Sequence, residues 1–224
     1  MNYSMIKTLI FKDWYLQRWT VLASLLGGII ALGIVCVPGN LTFFLGLILL
    51  ITTLIAVGAQ LAIATMVNER KEQTLAFVMS LPISFREYTV AKLVGTLLIF
   101  MLPFLMLVMG SLALFAFPHG APHGLLPFTV IMSTEILVST CLIVSTALVT
   151  ESQGWTVTAI MVGNIALNIV GYFVAHIAGI AKGMGGSTVS WSPAASTVLL
   201  SEFGLIALFL TLTFFFQSRK MDFL

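Results

Sequence analysis

Long apolar runs separated by short polar breaks dominate the chain. A helix needs roughly 20 mainly apolar residues to cross a bilayer. Six runs meet that length: about 19–37, 42–65, 91–117, 126–149, 155–178 and 197–217. The breaks hold residues that end helices, such as Pro38-Gly39-Asn40 and the three prolines within 118–127. The pattern predicts an all-α polytopic membrane protein with six transmembrane helices in a single domain, residues 1–224.

The segments outside the six runs are shorter and more polar. In residues 1–18, apolar and basic side chains fall on different sides of a helix, which predicts an amphipathic helix at the membrane surface. Residues 66–90 are too polar to span and form a charged loop. Residues 179–196 are rich in glycine and serine and connect the last two spans at the outer surface.

Lysine and arginine positions indicate the orientation, because these residues are retained on the cytoplasmic side of a membrane. Nine of the ten lie in segments on one side of the predicted topology, and only Lys182 lies on the other. This asymmetry requires an even number of spans. We therefore expect both termini and the 66–90 loop in the cytoplasm.

Composition and motifs narrow the function classes. The chain is 59% hydrophobic and 8% charged, against roughly 25% charged residues in soluble domains. A net charge of +2 is too small and scattered for a nucleic-acid-binding face. The sequence contains no GxxxxGK[ST], GxSxG or HExxH motif, and Gly120 and Pro122 keep His119 and His123 off a shared helix face. We expect neither an enzyme nor a metal protein.

The stretch from Asn68 to Lys92 carries strong local signals. Pro82 disfavours helical geometry at the preceding residue, so a first helix should end there. Ser84 and Glu87 then form a capping box for a second helix. This helix–break–helix unit is either an interfacial turn without a partner or a docking surface. The docking surface is the favoured interpretation, because such a loop can be ordered and still present its charges to water.

Glu135, Asn164 and Asn168 are polar residues well inside the predicted spans. Glu135 lies roughly 12 Å along the fourth span, and Asn164 and Asn168 share one face of the fifth. They are candidates for a substrate path or proton relay, and contacts between packed helices are the alternative. Glu202, near the start of the last span, is expected close to the outer headgroups.

The run NERKEQTLAFVMSLPISFREYTVAKLVG resembles the cytoplasmic loop between the second and third spans of type-2 ABC transporter permeases. The matching elements are Glu69, Leu75, Ser80-Leu81-Pro82-Ile83-Ser84, Arg86-Glu87 and Lys92. The stretch from Met5 to Asp13 is similar to the amphipathic N-terminal helix of that family. The resemblance covers about the first 95 residues. The remainder agrees in the number of spans and in a glycine-rich outer segment where the family often has a re-entrant element.

The resemblance implies the membrane subunit of an ATP-driven exporter in a bacterial cytoplasmic membrane. A second permease copy, identical or not, and a separate ABC ATPase chain would be its partners. ATP and Mg²⁺ would bind to the ATPase, and this chain would hold no cofactor. Hydrophobic or amphipathic cargo such as a peptide, antibiotic or lipid is expected. The implied ATPase-coupling residues are Glu69, Arg70, Glu72, Leu75, Ser80, Leu81, Pro82, Ile83, Arg86 and Glu87.

The leading alternative is a six-span substrate-binding subunit of an energy-coupled micronutrient importer. That class would enclose a solute pocket within one monomer, built from outer loops such as 179–196. A permease would instead form its path between two copies.

Overall fold

A computed structural model describes residues 3–71, 85–116, 122–182, 186, 188–189 and 191–219. Every regular element in these residues is a helix, and six helices are long and apolar enough to span a membrane. The prediction of an all-α, six-span membrane protein is confirmed. The elements are α1 (Tyr3–Val35), α2 (Asn40–Ala62), a π-helical turn (Ile63–Val67), α3 (Asn68–Lys71), α4 (Phe85–Ala113), 3-10 turns Leu114–Ala116 and His123–Leu125, α5 (Leu126–Thr150), α6 (Gln153–His176), α7 (Ala178–Ala181) and α8 (Pro193–Arg219).

The first span begins earlier than the apolar run indicates. α1 is one continuous helix of 33 residues, so residues 3–18 and the apolar run after them form a single element with no break at residue 18. No proline or glycine interrupts the first 26 residues of the chain. Charged residues near the start of α1 can therefore stay in the helix, provided that they find partners.

The connections follow the breaks in the apolar pattern. Gly39, between α1 and α2, has a φ of 145°, a conformation that favours glycine because it carries no Cβ. In the 179–196 segment, the described part contains the single turn α7, whose Ile180 is buried against Ile131, Val174 and Ala195. α8 then begins at Pro193, a few residues before the predicted span.

The long helices form two groups of three. α1 packs mainly on α2 and α4, whereas α5 packs mainly on α6 and α8. α5 also contacts α2 and α4, and it is the most buried of the six. Several of its hydroxyl side chains bond to its own backbone, as when Thr140 Oγ1 donates to the Ile136 carbonyl oxygen at 2.9 Å. Polar residues can therefore be buried around the whole circumference of α5.

The outer surface of the bundle is apolar. Phe11, Trp19, Leu41, Met109 and Phe203 are among many large apolar side chains that are more than half exposed. A water-soluble monomer does not present so large a continuous apolar surface. The chain is an integral membrane protein, with lipid around these side chains.

One end of the bundle gathers the start of α1, the π-helical turn, α3, the starts of α4 and α6, and the end of α5. Ile6, Met66, Tyr88, Leu148 and Ala159, from five of these elements, share one buried cluster. The end of α8 joins them, since Gln217 Nε2 donates to the Leu148 carbonyl oxygen at 2.5 Å. We call this end the charged end, because four ionised side chains meet there, and we call the opposite end the far end.

Candidate functional site

Lys92 is the centre of the charged end. Its side chain is 0% exposed, on the buried face of α4. Its Nζ atom donates to Asp13 of α1, at 2.8 Å from Oδ2 and 3.1 Å from Oδ1. The same atom lies 2.8 Å from Glu69 Oε1 of α3. A buried ammonium group is tolerated only with such close partners, because its desolvation costs several kcal/mol.

A second lysine completes the group. Lys12 Nζ lies 2.5 Å from Glu69 Oε1 and 3.7 Å from Asp13 Oδ1. Unlike Lys92, its side chain is 38% exposed, so it forms the solvent-facing edge. We call Lys12, Asp13, Glu69 and Lys92 the ion cluster. Its two positive and two negative charges balance, and it joins α1, α3 and α4.

Helical spacing explains how two members reach the interior. Asp13 follows the buried residues Ile6 and Leu9 at intervals of three and four, so all three share one face of α1. In α4, Lys92 likewise stands between the buried residues Tyr88 and Thr96 at intervals of four. Each charge therefore lies on the face that its helix turns towards the bundle.

The π-helical turn Ile63–Val67 precedes Glu69 on the third helix. A π turn adds one residue to the helical repeat, so the residues after it point in a new direction. Thr65 within the turn donates to the Leu61 carbonyl oxygen at 2.7 Å, and its oxygen lies 3.0 Å from Thr96 Oγ1 on α4. Because the Thr65 proton is already donated, Thr96 is the donor in that pair. The turn is thus held against α4, and Glu69 follows it on the inner side.

The ion cluster sits beside apolar and polar contacts that hold the same elements together. The apolar cluster of the charged end includes Ile6, Val67 and Tyr88, which exclude water from the inner side of Lys92. Lys71 donates a hydrogen bond to the Gln153 side chain, which joins α3 to the start of α6. Both ends of the segment 72–84 are therefore attached to the bundle.

The coupling residues expected from the sequence fall into three groups. Glu69 belongs to the ion cluster, and Glu87 is buried at the start of α4, so both carboxylates lie within the protein. Arg70 and Arg86 lie in α3 and α4, but only their backbone is described. The other six lie outside the described residues: Glu72, Leu75, Ser80, Leu81, Pro82 and Ile83. α4 begins at Phe85, the residue after the N-cap that the sequence predicts.

The polar residues expected along a path lie on the neighbouring helices α5 and α6. Glu135 is buried in α5. Asn164 is half-buried and its Nδ2 donates to the Ile160 carbonyl oxygen at 2.9 Å, while the exposed Asn168 donates to the Asn164 carbonyl oxygen at 2.8 Å. Both asparagines thus bond to their own helix. α6 packs through a neighbouring face, which contains Thr156, Ala159, Gly163, Leu167 and Val174.

Three residues of the ion cluster are absent from the coupling residues that the resemblance implies: Lys12, Asp13 and Lys92. One signal pointed to them: Asp13 interrupts the apolar side of the N-terminal helix. A charge in that position needs a partner of opposite sign, and the sequence alone does not say which lysine supplies it.

The ion cluster connects α1, α3 and α4 through paired charges. Among the described residues, no three histidine, cysteine, aspartate or glutamate side chains are placed to share a metal ion. Comparison with family models, curated proteins and solved structures finds no match. The functional argument therefore rests on the ion cluster and on the fold that carries it.

Proposed function

We propose that the chain is the membrane subunit of an ATP-driven ABC transporter. In this proposal it exports hydrophobic or amphipathic cargo, pairs with a second permease copy and is driven by a separate ATPase chain that binds ATP and Mg²⁺. The observation that carries the proposal is the ion cluster, which joins both ends of the 72–84 segment to α1. The order of residues in that segment, which resembles the coupling loop of type-2 permeases, supports it.

The ion cluster gives a physical route for force. An ATPase that presses on the loop acts first on α3 and on the start of α4. Glu69 of α3 and Lys92 of α4 are both paired, and Lys92 is also paired with Asp13 of α1. Buried ion pairs are stiff because separating either partner leaves an uncompensated charge. α1, α2, α3 and α4 are therefore expected to respond as one body.

That body moves against the other three long helices in this proposal. The contacts between the two groups run through α5, which packs on α2 and α4. Closure of the ATPases around ATP favours one arrangement of the two groups, and release of the hydrolysis products favours the other. This is a ligand-biased switch between two packed states.

The charged end faces the cytoplasm in this proposal, where ATP is available. The basic residues of the predicted topology support this side. A helix of 33 residues is about 50 Å long at 1.5 Å per residue, against about 30 Å of hydrocarbon. The first part of α1 thus extends into the headgroup region, where Arg18 stacks 4.0 Å from the Tyr15 ring and 5.5 Å from the Trp19 ring.

The proposal predicts an ATPase bound through the loop. Affinity purification of the tagged chain from its native membranes in mild detergent should recover a chain with a phosphate-binding loop in stoichiometric amount. Glu72→Lys should abolish this recovery, because it reverses a charge on the docking segment. The matched control is Arg219→Glu, a charge reversal on exposed α8 at the same end, and it should retain the ATPase.

Two outcomes would contradict the proposal. One is reproducible purification of the wild-type chain without any ATPase. The other is equal recovery of the ATPase with Glu72→Lys and with the control.

A further inference from the structure

α8 is attached to the bundle through a narrow stripe. Its buried residues are Ala195, Glu202, Thr213 and Gln217, and its large aromatic side chains point outward. The stripe faces α5, which is the main neighbour of α8. A carboxyl group therefore lies in a contact that otherwise consists of small and uncharged residues.

The register between α5 and α8 places a second carboxyl beside Glu202. The two helices run in the same direction, since Ser145 Oγ donates to the Phe209 carbonyl oxygen at 3.4 Å and Gln217 Nε2 donates to the Leu148 carbonyl oxygen at 2.5 Å. Nearer the far end, Ala195 lies in the same buried cluster as Ile131 of α5. Between these contacts the register places Glu202 of α8 within about one turn of Glu135 on the neighbouring α5.

Both carboxyl groups are inside the protein. Glu202 is 2% exposed and Glu135 is 4% exposed. Both carboxyl oxygens of Glu202 are buried without a hydrogen-bond partner in the described structure. Glu202 lies about two and a half turns inside α8, counted from Pro193.

Among the described residues, no cationic side chain is placed to neutralise Glu135 and Glu202. α2 and α7 carry no ionisable side chain, and Lys92 and Arg219 lie at the charged end. On α6, His176 is exposed and its Nδ1 donates to the Tyr172 carbonyl oxygen at 2.7 Å. Lys182, after α7, is exposed. Besides the pair, the buried titratable side chain on α5 is Cys141, which is not a cation.

We propose that Glu135 and Glu202 form a proton-binding site between α5 and α8. Two ionised carboxylates cannot stay side by side in an apolar contact without a counter-ion, so the pair holds at least one proton at neutral pH. In this proposal the protonated carboxyl donates a hydrogen bond to the other carboxyl, which would supply the partner that the Glu202 oxygens otherwise lack. A proton is the cation that reaches a residue so deeply buried without prior movement of α8.

The proton also controls how α8 is held. With the proton bound, the contact between α5 and α8 is neutral or shares a single charge. Its loss places two like charges in the stripe, and they push α8 away from α5. The pair is therefore a pH-dependent connection between α8 and the rest of the bundle. This inference concerns the chain alone and does not rest on the proposed ATPase.

Infrared spectroscopy of the full chain in lipid nanodiscs tests the site directly. The wild type at neutral pH should show the carbonyl stretching band of a protonated carboxyl group, shifted by deuterium exchange. Glu135→Gln/Glu202→Gln should lose this band, because glutamine has the shape of a protonated carboxyl but no titratable proton. Glu151→Gln, at the α5–α6 turn, is the control and should keep it.

The single variants Glu135→Gln and Glu202→Gln provide the same test if the double variant fails to fold. Each should shift or remove the band, since the shared proton then has a single carboxyl. Absence of the band in the wild type, or a band unchanged in both single variants, would overturn the proposal. Carboxylate bands that respond to sodium or an amine in place of a protonated band would also overturn it and assign another cation.

Discussion

At the charged end, single side chains hold several helices together. Lys92 and Lys12 have the same chemistry and belong to one ion cluster, yet the first is 0% exposed and the second 38% exposed. The burial of each lysine therefore decides how much its ion pairs contribute to the free energy of unfolding. Removing one partner of a buried pair leaves a stranded charge, whereas exposed pairs contribute little because water already solvates them.

We expect Lys92→Met to destabilise the protein by about 3–5 kcal/mol, because Asp13 and Glu69 lose their shared cation in a buried position. Lys12→Met is the matched control and should cost about 1 kcal/mol or less. Equilibrium unfolding in detergent, followed by circular dichroism, measures both variants. Equal, small effects of the two substitutions would show that the cluster is not a buried ion pair.

The double variant Asp13→Asn/Lys92→Met separates charge from packing. It removes one charge of each sign, so Glu69 keeps its contact with Lys12 and no net charge is stranded. Its stability should recover part of what Lys92→Met loses. A double variant that is less stable by the sum of the single effects would contradict a charge-based account.

The ion cluster also shows which properties of single residues can be predicted from the sequence and which cannot. Asp13 was recognisable as a charge on an apolar helix side, since periodicity is a local property. Its pairing with Lys92 is a contact between residues far apart in the chain, and no local pattern encodes it. The direction of Glu69 is equally hard to predict, because the π-helical turn before it leaves no signal in the residue spacing.

At the scale of elements, close helix contacts depend on small residues. Gly46 of α2 packs directly on α1, where a Cβ atom would lie 2.8 Å from the Ala31 carbonyl oxygen. That oxygen belongs to the backbone and cannot rotate away. The hairpin of α1 and α2 is therefore closed by the absence of a side chain at this position.

We expect Gly46→Ala to destabilise the protein by about 1–3 kcal/mol, as overpacking does in other cores. Gly33→Ala, on α1 of the same hairpin, is the control. A Cβ there meets nothing within 4 Å in the described structure, so the variant should be neutral or gain about 0.5–1 kcal/mol of helix propensity. Thermal unfolding in detergent compares the two. A stable Gly46→Ala beside a destabilised Gly33→Ala would contradict this packing.

The elements themselves were largely predictable because their signals are local. Apolar length marked all six spans, and Pro38-Gly39-Asn40 marked the first turn. The continuity of α1 across residue 18 was not predictable from polarity alone. Lys12 and Asp13 are tolerated because partners on α3 and α4 neutralise them, and those partners appear only in three dimensions.

At the scale of the whole molecule, the helices divide into two groups of three with α5 between them. The N-terminal group is held by the ion cluster and by the close α1–α2 contact. The C-terminal group contains the Glu135–Glu202 pair, where α8 is held by a narrow stripe. The two groups of helices are thus held together by different kinds of contact. In the proposed transporter, one group moves against the other.

The most direct test of this account is a distance measurement in the purified complex of the chain with the proposed ATPase. Spin labels at Leu16 of α1 and Leu98 of α4 report distances within the N-terminal group, and labels at Leu98 and Met161 of α6 report distances across the groups. All three positions are exposed, and Cys36 and Cys141 would be replaced first. Pulsed electron–electron double resonance with and without ATP should show an unchanged Leu16–Leu98 distance and a changed Leu98–Met161 distance. A nucleotide-dependent change between Leu16 and Leu98, or no change across the groups, would contradict the account.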